Sequence, residues 1–199
     1  MSGFWSVVGD IVEALDAALS NRPVDPEARR GPLVRPIEDE DDWSESLREA
    51  IVVARRPAER VDRIRSEILM VAPHFSHHEG VNFDEDNCNW LEIPKYPLPE
   101  KWARRWAKLL ILFPETYPLS PPIGFYLDRE FRLKDGGTDG HLIGRGLHSA
   151  PDLRAHGWHW YCVRVEEGVQ GGWRPSARYD QPDNLRTYLN TVREVLTND

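Results

Sequence analysis

Over 199 residues the chain carries 25 Lys and Arg against 33 Asp and Glu, a formal net charge of −8 at pH 7. That is sequence enough for one folded core with an appended segment, and the acidic balance excludes nucleic acid as the main partner. The two cysteines, Cys88 and Cys162, stand far apart and outside any C-x-x-C spacing; this excludes a multiply bridged scaffold, leaves room for at most one disulfide, and fits free thiols in a reducing cytoplasm.

At the start of the chain Phe4, Trp5, Val8, Ile11, Val12, Leu15 and Leu19 recur at three- and four-residue spacing, with Asp10, Glu13 and Asp16 between them. The spacing predicts an amphipathic helix over 3–20, packed on its own domain or docked on a partner. Acids inside the apolar stretch and the lack of a basic leader argue against a signal peptide. No apolar run approaches the roughly 20 residues that span a bilayer, so the protein is expected in the cytoplasm, without a membrane partner. Pro23, Pro26, Gly31, Pro32 and Pro36 mark a linker, and residues 37–45 form an acidic run. Residues 1–56 thus read as an N-terminal extension and 57–199 as the folded domain.

A short helix is expected over 44–56, and Pro57 suits the first turn of a second, where a proline gives up no intrahelical donor. In that helix, 58–71, Val61, Ile64, Ile68 and Leu69 form the apolar face, and Arg56, Arg60, Arg63 and Arg65 are left mostly to solvent. Strands follow at 80–83, 87–93, 105–113 and 123–127, with Pro94, Pro97 and Pro99 separating the second from the third. Short connections favour an antiparallel meander. Residues 128–157 are Gly-rich and polar, with little periodicity; such long loops are usually functional or mobile. Leu185, Leu189, Val192 and Leu196 form the stripe of a closing helix, with Asp180 or Asp183 as its N-cap.

At the end of the third strand stands Phe113-Pro-Glu-Thr-Tyr117-Pro118-Leu-Ser-Pro121-Pro122. It resembles the F-P-x-x-Y-P-x-x-P-P signature of the E2 ubiquitin-conjugating enzymes, a structural motif whose prolines fix φ and whose X-Pro bonds can be held cis. Downstream, Trp158-His-Trp-Tyr-Cys162, then Trp173-Arg-Pro175-Ser, then the closing helix resemble that family's catalytic cysteine, W-S-P element and crossover helix. The resemblance covers roughly residues 57–196.

The resemblance implies an α+β, UBC-like fold: an N-terminal helix, a four-stranded antiparallel meander, an irregular active-site segment and a C-terminal crossover helix. It implies that Cys162 takes a ubiquitin-like modifier as a thioester from an E1-like activating enzyme and passes it to an amine of a target protein. No metal or organic cofactor is implied, since the E1 consumes the ATP. The helix over 58–71 is expected to dock the E1, with Arg60 and Arg63 facing an acidic partner surface. Bacterial members suggest an operon with an E1, a modifier and a deconjugating peptidase, as in antiphage defence.

Two departures bear on the chemistry. The segment between Pro122 and Cys162 is long, and the family's H-P-N tripeptide is absent, His148-Ser149-Ala150 being the nearest substitute. The asparagine's hydrogen bond to the developing oxyanion is therefore expected from a histidine, with His148 and His159 the leading candidates and His156 a third.

Other readings of these residues stand beside this one. Alone, a cysteine between Tyr161 and Val163 is more often a buried hydrophobe; the flanking motifs favour a thiol that can both accept and release an acyl group. Cys88, inside an expected strand, reads as structural. His156, His159 and Cys162, spaced by three, could hold zinc with a fourth ligand, as in a hydrolase. Trp158, Trp160, Tyr161 and Trp173 read as core rather than as a binding surface. Glu166 or Glu167 could orient a lysine amine, although loop acids are usually just solvated, and helix capping already explains Asp183. The rival class is a non-catalytic binding module on the same fold, resembling the ubiquitin-E2 variants that lack the cysteine.

Overall fold

The computed structural model describes residues 47, 51, 56–78, 80–129, 132–145, 150–163 and 172–198. The expected helix over 3–20, the linker, the acidic run, most of the helix over 44–56, His148, Glu166 and Glu167 lie outside them. Among the described residues the architecture is α+β: a six-stranded antiparallel sheet with two full helices, α1 (Ala58–Val71) and α2 (Leu185–Thr197). No helix among the described residues is long and apolar enough to cross a membrane.

Helix α1 begins after Pro57, whose carbonyl accepts from the amides of Arg60 and Val61. Its buried stripe is Val61, Ile64, Glu67, Ile68 and Val71. Leu69, expected on that face, is 48% exposed, because one residue past Ile68 turns it about 100° round the helix. The arginines also depart from expectation. Arg56 is buried and donates to the carbonyls of Phe113, Pro114 and Glu115. Arg60 donates to Glu115 O, and Arg63 to Glu67, Ser176 O and Ala177 O. A buried carbonyl needs a donor as much as a guanidinium needs acceptors, and the irregular proline segment supplies carbonyls that no strand pairs.

The strands are β1 (Asn82–Phe83), β2 (Trp90–Pro97), β3 (Trp106–Leu112), β4 (Gly124–Leu127), β5 (Leu142–Gly144) and β6 (His159–Cys162), in the order β1-β2-β3-β4-β6-β5. The first four are the expected meander; β5 and β6 extend it within the region expected to be irregular. Pro94 does not end β2 but lies inside it, where a bulge sets two residues against one between Ile93 and Tyr96, and Pro97 is the strand's last residue. Pro94 is tolerated because it sits in the bulge, outside the ladder pairs with β3, and among the described residues the pairs of β2 with β1 reach Asn82 with Glu92.

Alternation along the strands makes two cores. Ala107, Leu109, Ile111, Phe125, Leu127 and Tyr161 pack with the stripes of α1 and α2 on one face. Leu110, Tyr126 and Trp160 face the other way, under Leu47, Ile51, Leu153 and Trp158. Trp158, Trp160 and Tyr161 are therefore core residues, and Trp173 is partly buried. The cap of α2 is neither expected aspartate but Asn184, whose side chain accepts from the amides of Arg186 and Thr187 at 3.0 and 3.2 Å. Asp183 instead accepts from the Arg174 amide at 2.7 Å and so pins the Trp173-Arg-Pro175 element.

Candidate functional site

The two thiols have opposite settings. Cys88 is fully buried beside the Val61 carbonyl, and burial pushes its thiol up to about 11 from an ordinary value of 9.0. A fully buried thiol held in its protonated form is a poor nucleophile and serves as a packing group. Because the folded state keeps this proton while the unfolded chain loses it, stability should fall as pH rises from about 9 to about 11. The loss comes to about 2 to 3 kcal/mol. Urea titrations across that window should show a steeper alkaline loss for the wild type than for Cys88→Ala; parallel losses would mean the thiol is not the titrating group.

Cys162 is half-buried at the end of β6, opposite Gly124 of β4. Its side chain packs against the cluster of Leu110, Tyr126, Trp158 and Trp160 on the face away from the helices. The next residue, Val163, donates to Ile123 O at 3.0 Å, so the cysteine's strand is tied to the chain leaving the proline segment. That segment contains a cis Tyr117–Pro118 bond. Pro118 O accepts from the Trp173 indole at 2.6 Å, and the Tyr117 and Trp173 rings lie 6.1 Å apart. Pro122 is buried, whereas Pro121 and Pro175 are half-buried.

Tyr117 is itself fully buried. Its hydroxyl donates to Glu67 Oε2, which also accepts from the Leu185 amide at the head of α2, and the other oxygen pairs with Arg63. Burial, then the neighbouring Glu67, push the Tyr117 phenol far up. One buried carboxylate on α1 thus joins the proline segment to the closing helix.

The histidines sort differently from the sequence reading. Along a strand, residues three apart point to opposite faces and sit about 10 Å apart. His159 therefore belongs with the Tyr161 face and Cys162 with the Trp160 face. His156 ends a short 3-10 turn (Arg154–His156) before β6, and among the described residues no group of three His, Cys, Asp or Glu is arranged to hold a metal. Among the described residues the histidine bonded to the cysteine's main chain is His141, which the sequence reading did not single out. Its carbonyl accepts from the Cys162 amide at 3.0 Å, and its Nδ1 lies 3.1 Å from Cys162 O.

The outer face of α1 presents Glu59, Asp62 and Ser66 to a groove of ≈ 450 Å³ shared with Arg178, Tyr179 and Asp180. Arg63 lines that groove too, with its guanidinium turned to Glu67 and the carbonyls of Ser176 and Ala177. The face is of mixed sign rather than basic.

Comparison of the chain with protein-family models, with curated proteins and with solved structures finds no match.

Proposed function

We propose that the chain is an E2-type conjugating enzyme, in which Cys162 accepts a ubiquitin-like protein from an E1-like enzyme as a thioester and passes it to an amine of a target protein. The observation that carries this reading is the meeting of three segments distant in sequence. The cis-proline segment around Tyr117 and Pro118 is held by Trp173 of the Trp-Arg-Pro element, and its continuation at Ile123 is bonded to the residue after Cys162. These are the segments on which the E2 resemblance rests. The contrast between a half-buried Cys162 and a fully buried Cys88 whose thiol is pushed up by burial supports the former as nucleophile. The activating enzyme would dock on the outer face of α1, with Arg60 at its margin.

A second reading, a non-catalytic module of the UBC fold that binds a protein partner, draws support from the packing of Cys162 against the buried cluster that holds Trp160. Incubation with an E1-like enzyme, its ubiquitin-like modifier and ATP separates the two. The enzyme gives an adduct on non-reducing electrophoresis that thiols remove, and the module gives none. Cys162→Ala should abolish the adduct and Cys88→Ala should leave it largely intact. Cys162→Ser should trap a more stable oxyester, because an alkoxide leaves less readily than a thiolate. An adduct that persists in Cys162→Ala overturns the site.

A further inference from the structure

We propose that His141 is the general base that takes the proton from the amine attacking the acyl group on Cys162; this rests on the conjugating-enzyme reading above.

The two residues face each other across the start of the β5–β6 pairing. The main chain of Cys162 is bracketed from both sides, its amide donating to His141 O at 3.0 Å and its carbonyl lying 3.1 Å from His141 Nδ1. A carbonyl oxygen only accepts, so Nδ1 bears the hydrogen, and in the neutral ring this leaves the lone pair on Nε2. The contact that fixes the ring against the main chain of Cys162 therefore also fixes the tautomer in which its far nitrogen is a base. Both residues are half-buried, so neither is sealed off from solvent.

The turn that presents His141 is built for rigidity. Asp139 Oδ1 accepts from the His141 amide at 2.8 Å, and Asp139 O accepts from the Leu142 amide at 3.1 Å. Asp139 is buried, and its other oxygen pairs with Lys101 Nζ at 3.2 Å. Lys101 also donates to Asn198 O at 2.8 Å and sits over the Trp102 ring. A partly buried ion pair anchored on the segment after α2 is far more than an exposed loop histidine requires. It is what a base needs, since a small misplacement at the reacting atoms costs much of the rate.

In the step itself the amine nitrogen attacks the thioester carbonyl carbon. The C–N bond forms, the C–S bond breaks, and Cys162 Sγ leaves as a thiolate. The proton shed by the nitrogen goes to His141 Nε2, giving an imidazolium beside the thiolate, which then returns the proton to solvent. Positioned bases of this kind contribute about 10²- to 10⁴-fold.

The test needs no natural partner. In a Cys88→Ala background, Cys162 is loaded by exchange with a Gly-Gly-terminated peptide thioester of 2-mercaptoethanesulfonate, and discharge to free lysine is followed by mass spectrometry in single turnover. His141→Ala should discharge about a hundredfold or more slowly, while alkylation of unloaded Cys162 by iodoacetamide changes by less than about threefold. His141→Asn is the deciding variant, because its amide can donate to the same carbonyl but carries no base. A rate as slow as the alanine variant, with partial rescue of His141→Ala by added imidazole, supports the base. Recovery in His141→Asn, or wild-type discharge in His141→Ala, overturns it and leaves a backbone-positioning role or none. Failure of the conjugating-enzyme reading shows separately, as a wild-type protein that takes no modifier from an E1.

Discussion

Glu67→Ala should lower folding stability by about 3 to 5 kcal/mol, the range for removing one member of a buried, hydrogen-bonded charged pair. Glu67 is fully buried and accepts from three sources: the Arg63 guanidinium, the Tyr117 hydroxyl and the Leu185 amide. The alanine leaves all three donors facing a hole. Tyr117 and the head of α2 cannot turn to water, so each bears the cost of an unmade buried hydrogen bond, about 1 to 3 kcal/mol. Arg63 is less affected, because Ser176 O and Ala177 O still accept from it. Glu67→Gln keeps the shape and an acceptor and should cost less, and Tyr117→Phe, which removes one donor, about 1 to 2 kcal/mol. Urea midpoints at constant slope measure all three. A loss under about 1 kcal/mol in Glu67→Ala would show that the carboxylate is not the joint between α1, the proline segment and α2.

That joint was hard to see in the sequence for a definite reason. A glutamate in the phase of the Val61, Ile64, Ile68 stripe looks like an interruption, and periodicity alone assigns Leu69 to the face instead. The available sign was Arg63 four residues earlier, a spacing that pairs opposite charges on one helix face. The central strands were legible, because Ala107, Leu109 and Ile111 alternate with Leu110 across a sheet buried on both faces. The strand β5 was not, since three residues ending in Gly144 at a sheet edge have no period to read. The same holds for the partner of Cys162. Sequence distance favoured His159, which strand alternation turns away. The signal for His141 was the Asp139-Gly140 turn just before it, a local hydrogen-bonding pattern that fixes a loop but does not say which strand the loop meets.

Gly124→Ala should cost about 3 kcal/mol, at the upper end of what overpacking does, because the atoms in the way cannot yield cheaply. A Cβ at this position would fall on Cε2 and Nε1 of the Trp160 indole and 2.5 Å from Tyr161 O. Trp160 is fully buried in a cluster with Leu110, Tyr126 and Trp158, so its indole cannot swing out to solvent. Tyr161 O is main chain of β6, paired with β4 in the register Gly124 to Cys162 and Phe125 to Tyr161, so relief there means prising the two strands apart. From the other side the Tyr188 hydroxyl donates to Gly124 O at 2.8 Å and ties β4 to α2. The loss should lower the melting temperature by about 6 to 12 °C for a chain of this size. It should also alter the reactivity of Cys162, which stands directly across the pairing. Calorimetry together with iodoacetamide alkylation reads both effects. A variant that melts within about 2 °C of the wild type would show that β4 and β6 do not meet in this register, and with that the placement of Cys162 beside Gly124 would fall.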